Sequence, residues 1–160
     1  MPIRSRDILL VEDNPADANL VREAIGKIER PSQLTCSGDG ESAAAYLRDH
    51  TEASVRPNLI ILDLNLPKKD GRSLLAEVKS DPKLRMIPVV VFSTSQCEED
   101  ISRSYELGAN CYVNKPGELA QFFATVQGIV EFWYGCASLP PENLSKKEND
   151  DRTSYPRTAD

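Results

Sequence analysis

Leu59-Ile60-Ile61-Leu62-Asp63-Leu64-Asn65-Leu66-Pro67-Lys68-Lys69-Asp70-Gly71 joins four aliphatic residues to a carboxylate and then to a run of turn formers. A short continuous apolar run bounded by turn residues reads as a strand buried on both faces. The acid at its end is no filler, because an unpaired buried charge costs several kcal/mol or titrates to neutrality. Two further segments repeat the arrangement: Ile8-Leu9-Leu10-Val11 runs into Glu12-Asp13, and Val89-Val90-Val91-Phe92 runs into Ser93. Three carboxylates and a hydroxyl at the tips of apolar strands predict a site.

Outward from these strands the pattern alternates between short runs and helical periodicity. Asn14-Pro15 supplies an N-cap and a first-turn proline, followed by Leu20, Val21, Ala24, Ile25 and Ile28 on one helical face. Gln33–Ser37 is a weaker strand, and Gly38-Asp39-Gly40 turns into a helix through Ala45, Tyr46 and Leu47. His50–Asn58 is a polar loop, and His50, the only histidine, is expected to be solvated there. A helix over Ser73–Ser80 points Leu74, Leu75 and Val78 inward and stops near Asp81-Pro82. Another spans Glu98–Leu107, with Gly108 suited to a left-handed cap. Cys111–Val113 is the fifth strand, and in the Lys115-Pro116 that follows the proline permits a cis bond. The last helix, Glu118–Tyr134, is predicted to bury Leu119, Phe122, Phe123, Val126, Val130 and Trp133. Five strands alternating with five helices predict an α/β fold, a doubly wound parallel sheet covered on both faces. Ligands of such sheets sit at the carboxyl ends of the strands.

Composition bounds the function. The chain of 160 residues is long enough for one self-sufficient core, and its net charge of −6 argues against direct contact with nucleic acid or anionic membrane. No apolar stretch approaches a membrane span, and the N-terminus lacks the apolar centre of a signal peptide, so the expected location is cytoplasmic. Cys36, Cys97, Cys111 and Cys136 have no metal-ligand spacing and read as free thiols. Residues 1–140 are expected to form the domain with its C-terminal extension, and 141–160 a disordered polar tail.

Glu12, Asp13 and Asp63 repel one another if brought together; two charges about 4 Å apart cost roughly 4 kcal/mol at an effective dielectric near 20. Either one carboxyl keeps its proton or a cation sits among them, and hard oxygen donors favour Mg²⁺. Lys115 offers an ammonium and Ser93 a hydroxyl for a phosphoryl group, with the choice among Ser93, Thr94 and Ser95 resting on register. These are parts for moving a phosphoryl group onto an aspartate. There is no glycine-rich nucleotide loop, so the donor is expected to be an activated carrier rather than ATP.

As a set, Ile8–Asn14, Asp63–Gly71, Ser93 and Lys115-Pro116 resemble a response-regulator receiver domain, over about Arg6 to Gly135. The resemblance implies a flavodoxin-like sheet of strand order 2-1-3-4-5. It implies that Asp63 accepts phosphoryl from a histidine kinase, in contact with Lys115 and Ser93. It further implies Mg²⁺ held by Asp13, Asp63 and the backbone carbonyl of Asn65, with Glu12 reaching it through water. Tyr112 matches the aromatic switch position, whose ring swings inward as Ser93 moves toward the phosphate. Ser93 stands where many relatives carry threonine, and the hydroxyl role survives.

A narrower resemblance rests on Asp63–Arg72, the long loop before the third strand, Ile87–Ser95, and Phe132-Trp133-Tyr134 leading to Leu139-Pro140-Pro141. These are similar to single-domain response regulators paired with bacterial phytochrome kinases. That implies a phytochrome-type kinase partner and a homodimer through the fourth-helix, fifth-strand, fifth-helix face and the C-terminal extension. Phe132, Trp133, Tyr134 and Leu139 either serve that dimer or cap the protein's own core. Two rival functions remain: a phosphate-independent adaptor on the same scaffold, and an aspartyl-phosphate phosphatase. The adaptor needs none of the acids, and phosphatases of the haloacid-dehalogenase type place a second aspartate two residues after the nucleophile, where Asn65 stands. The expectation is a switch, not a turnover enzyme.

Overall fold

In a computed structural model, residues 6–30, 32–52 and 54–141 are described. Strands β1 (Arg6–Val11), β2 (Ser32–Ser37), β3 (Leu59–Leu62), β4 (Val89–Ser93) and β5 (Cys111–Asn114) alternate with helices α1 (Pro15–Gly26), α2 (Gly40–Asp49), α3 (Gly71–Ser80), α4 (Glu98–Glu106) and α5 (Leu119–Glu131). All pairings are parallel, in the order β2-β1-β3-β4-β5. The doubly wound sheet expected from the alternation is therefore present, with the order the family resemblance implied.

The strand period of two sorts the aliphatic residues onto two faces. Leu9, Val11, Ile60, Leu62, Val89 and Val91 pack with Ala43, Ala44 and Leu47 of α2 and Leu74, Leu75 and Val78 of α3. Ile8, Leu10, Leu59, Ile61, Val90 and Phe92 pack with Val21, Ala24 and Ile25 of α1 and with Phe122, Val126 and Val130 of α5. All four residues of β3 are buried, because β3 has a strand on each side and a helical layer on each face. β2 alternates between half-buried and exposed residues, as suits an edge strand, which explains its weak sequence signal.

Several boundaries differ from the sequence reading. α3 starts at Gly71, two residues early, because the Asp70 side chain caps it by accepting from the Arg72 N–H at 3.2 Å. A Cβ at Gly71 would lie 2.4 Å from the Asp63 carbonyl oxygen, so only glycine lets α3 start this close to β3. Gly108 follows α4 at φ +104, the left-handed cap that the sequence suggested. The last helix does not run unbroken to Tyr134; α5 ends at Glu131 and a π-helical turn spans Phe132–Cys136. Leu119, expected inside, is 55% exposed at the first position of α5, while Phe123 and Trp133 are only partly buried. No cis peptide bond occurs among the described residues, so the Lys115-Pro116 bond is trans. His50 is half-buried rather than solvated: its ring stacks on Tyr46 at 3.9 Å and its Nδ1 lies 2.7 Å from the Tyr46 carbonyl.

Part of the aromatic C-terminus caps the protein's own core, one of the two roles considered for it. Tyr134 is buried, Trp133 and Leu139 pack partly buried on the α1–α5 face, and Phe132 is 52% exposed. Cys36, Cys97, Cys111 and Cys136 are free thiols. Among the described residues no helix is long and apolar enough to cross a membrane. The polar tail, apart from Pro141, lies outside the described residues.

Candidate functional site

β1 and β3 lie side by side, but their following helices pack on opposite faces of the sheet, so the chain diverges at their carboxyl ends. Val11 pairs with Leu62, and the Asp63 N–H donates to the Val11 carbonyl at 3.0 Å. Glu12-Asp13 and Asp63 thus leave adjacent strands at one level. One carboxylate oxygen from each of Glu12, Asp13 and Asp63 falls within 4.8 Å of the others. Glu12 and Asp63 are buried and Asp13 is exposed. The donors are all hard oxygens with one open side, which fits a small divalent cation.

Lys115 enters from β5, whose pairing carries its N–H to the Ser93 carbonyl at 2.8 Å. Its side chain is 5% exposed, and the ammonium donates to Glu12 Oε2 at 2.6 Å, Asp17 Oδ2 at 3.0 Å and Asp63 Oδ2 at 3.1 Å. One cation therefore faces three carboxylates at hydrogen-bond distance, with Asp13 beside them. Burial pushes the Glu12 carboxyl up to about 7, the nearby Asp63 charge adds to that, and the Lys115 ammonium opposes it. Burial works to lower Lys115, but the Glu12 hydrogen bond and charge, with Asp17 and Asp63, outweigh it and hold the ammonium above its usual range. A second cation would relieve the excess of acid.

The register separates the three hydroxyls at the end of β4. Ser93 is fully buried and pairs with Asn114, Thr94 is exposed, and Ser95 has left the strand. Ser93 Oγ accepts from the Ser95 N–H at 3.2 Å. Tyr112 on β5 is half-buried, and its hydroxyl donates to the Ser95 carbonyl at 2.7 Å. Asn65 follows Asp63 on an exposed turn, its N–H donating to Asp63 Oδ1 at 3.3 Å.

Of the residues singled out in the sequence, Glu12, Asp13, Asp63 and Lys115 converge directly, while Ser93 and Tyr112 meet through Ser95. Asp17 was missed. Its only sequence signal is an acid in the first turn of α1, a position that the helix dipole favours by itself. No role was read for Arg72 or Asp100, which tie α3 to α4, and Ser95, weighed only as an alternative hydroxyl to Ser93, joins them.

A doubly wound sheet whose switch point gathers three carboxylates around a buried lysine defines a signalling receiver. Residues 8–127 match the response regulator receiver domain, and the chain belongs to that family, the receivers of two-component systems. It is 50% identical over 135 residues to the response regulator Rcp1 of Synechocystis, covering 83% of this chain and 92% of Rcp1. Its fold is similar to the crystal structure of a phosphorylated cyanobacterial phytochrome response regulator, RcpA, with TM-score 0.81 and 52% identity over 86% of this chain and 100% of the other. It is similar also to the Mn²⁺-bound form of Rcp1, with TM-score 0.78 and 47% identity over 85% of this chain and 99% of that one.

Proposed function

We propose that Asp63 is the phosphoacceptor of this receiver and takes its phosphoryl group from a phosphohistidine of a phytochrome-type histidine kinase. The observation that carries this is one buried ammonium shared by carboxylates from α1, β1 and β3, an arrangement unbalanced until a further cation joins it. Asp13, Asp63 and the Asn65 carbonyl would hold Mg²⁺, with Glu12 reaching it through water. When bound, the metal would neutralise charge on the carboxylates and on the transferring group. The Asp63 carboxylate attacks phosphorus as the phosphorus–nitrogen bond breaks, and the imidazole leaves with the bonding pair. Lys115 Nζ, 3.1 Å from Asp63 Oδ2, then pairs with a phosphoryl oxygen, and the Ser93 hydroxyl turns from the Ser95 N–H to donate to another. Tyr112 follows the loop that Ser93 leads. The buried carboxylate beside Asp63, Glu12, is engaged by Lys115 at 2.6 Å, and the acyl phosphate is a stored signal rather than a turnover intermediate.

A groove of about 290 Å³ beside Lys115, lined by Leu20, Thr94, Leu119 and Phe122, suits an apolar helix face that presents the imidazole. It also gives the exposed Leu119 a role. The phytochrome pairing rests on what two similar proteins are named for, the cyanobacterial phytochrome response regulator RcpA and the bacteriophytochrome response regulator AtBRR. Homodimerisation is proposed through the α4–β5–α5 face and the C-terminal extension, where Tyr105 is 49% and Phe132 52% exposed. The protein is proposed to act in the cytoplasm. The test is labelling from acetyl phosphate or a phosphorylated kinase: label is expected only with Mg²⁺ and only on the parent. Equal labelling of Asp63→Asn would overturn the assignment.

A further inference from the structure

Ser95 has no free polar group. Its N–H donates to Ser93 Oγ at 3.2 Å and its carbonyl accepts from the Tyr112 hydroxyl at 2.7 Å. Its hydroxyl donates to Asp100 Oδ2 at 2.6 Å and accepts from the Cys97 N–H at 3.3 Å. Asp100 is gripped on its other oxygen by Arg72 Nη2 at 2.5 Å, and Arg72 Nη1 also contacts Asp70 at 3.3 Å. The Ser95 hydroxyl, and then Arg72, hold the Asp100 carboxyl below its usual range. Arg72 is the second residue of α3, whose first, Gly71, packs against the Asp63 backbone. An unbroken chain thus runs from the backbone of Asp63 through Gly71, Arg72 and Asp100 to Ser95. It reaches the partner of both switch residues without passing through the phosphoryl position.

We propose that Arg72 and Asp100 are positioning residues for the switch, a latch between α3 and α4 that holds the Ser95 carbonyl where Tyr112 binds it with its ring turned inward. The proposal rests on the reading of Asp63 as phosphoacceptor and of Tyr112 inward as the switched state. A pair that favours the inward state must, by linkage, tighten whatever binds preferentially to that state at Asp63. The side chains of Arg72 and Asp100 bond to Asp70, Ser95 and each other, not to Glu12, Asp13, Asp63 or Lys115 among the described residues, so an effect on the pocket would be transmitted.

The experiment titrates the full chain with beryllofluoride, a phosphoryl analogue, in Mg²⁺. The readout is the fluorotyrosine NMR signal of Tyr112, assigned with Tyr112→Phe. Arg72→Ala and Asp100→Ala are each expected to raise the titration midpoint about three- to tenfold and to move the unliganded Tyr112 signal away from its bound position. The double variant should be no worse than either single one, because both break one chain, and Arg72→Lys should recover part of the loss. An unchanged midpoint and Tyr112 signal in folded single variants would overturn the latch and leave the phosphoacceptor reading standing, as would losses that add in the double variant. If the parent itself gave no response to beryllofluoride, the phosphoacceptor reading would fail and the latch with it.

Discussion

The acid pocket and the α3–α4 connection are both built from carboxylates and one cation, yet they differ in what their charges do. In the pocket Lys115 is 5% exposed and answers to Glu12, Asp17 and Asp63 together, with Asp13 alongside. Between the helices, Arg72 and Asp100 are each more than a quarter exposed, and Asp100 also accepts from Ser95. The pocket is buried and carries excess acid, so its ionisation states are costly and respond to an added cation. The connection, where Arg72 meets Asp70 and Asp100, is partly exposed to solvent, so its charges bias geometry at little cost in stability. On the reading proposed above, burial with a large excess of acid marks the acceptor pocket, and partial exposure marks the place where shape is set.

Removing Lys115, the ammonium of the pocket, should have the largest effect. Lys115→Ala leaves buried carboxylates without their partner and is expected to destabilise the metal-free protein by about 3 kcal/mol, read by urea unfolding with chelator present. Mg²⁺ should restore much of that loss, and a loss unaffected by Mg²⁺ would break the contrast.

The pH dependence sharpens the comparison next. Glu12 is pushed up to about 7 in the folded chain against an ordinary value of 4.5, so between those values the folded state binds the extra proton. Its contribution to stability is therefore most favourable below about pH 4.5 and is lost as pH rises through 7. In chelator, the melting temperature of the parent should fall between pH 5 and 8 relative to Glu12→Gln, whose curve lacks this component. Mg²⁺ should flatten the difference, since a cation favours the ionised carboxyl.

The smallest effect belongs to the connection. Arg72→Ala should shift the melting temperature by less than about 3 °C, whatever it does to the Tyr112 signal. A larger drop would make the pair a structural staple and erase the distinction between the two regions.

Legibility followed the range of the interactions. The runs Ile8–Val11, Leu59–Leu62 and Val89–Phe92 announced central strands because burial on both faces requires unbroken aliphatics. Ser32–Ser37 was faint because an edge strand is half solvated. The start of α3 was misjudged because Asp70-Gly71 serves equally as a turn or as an N-cap, and only packing against Asp63 chooses between them. Leu119 was placed inside because helical periodicity does not show which turns of a helix lie over the core, and it stands in the first turn of α5.

The amino-acid sequence by itself determined the alternation of strands and helices, the acids and hydroxyl at the strand ends, and so the composition of the pocket. These depend on neighbours a few residues apart, which a linear pattern records. Only the tertiary structure decided that Asp17 joins Lys115 across 98 residues, that Ser93 rather than Thr94 is buried, and that Phe132 faces outward while Tyr134 is enclosed. Those outcomes turn on strand order and helix rotation, and side chains distant along the chain share charge and space only after the sheet has brought them together.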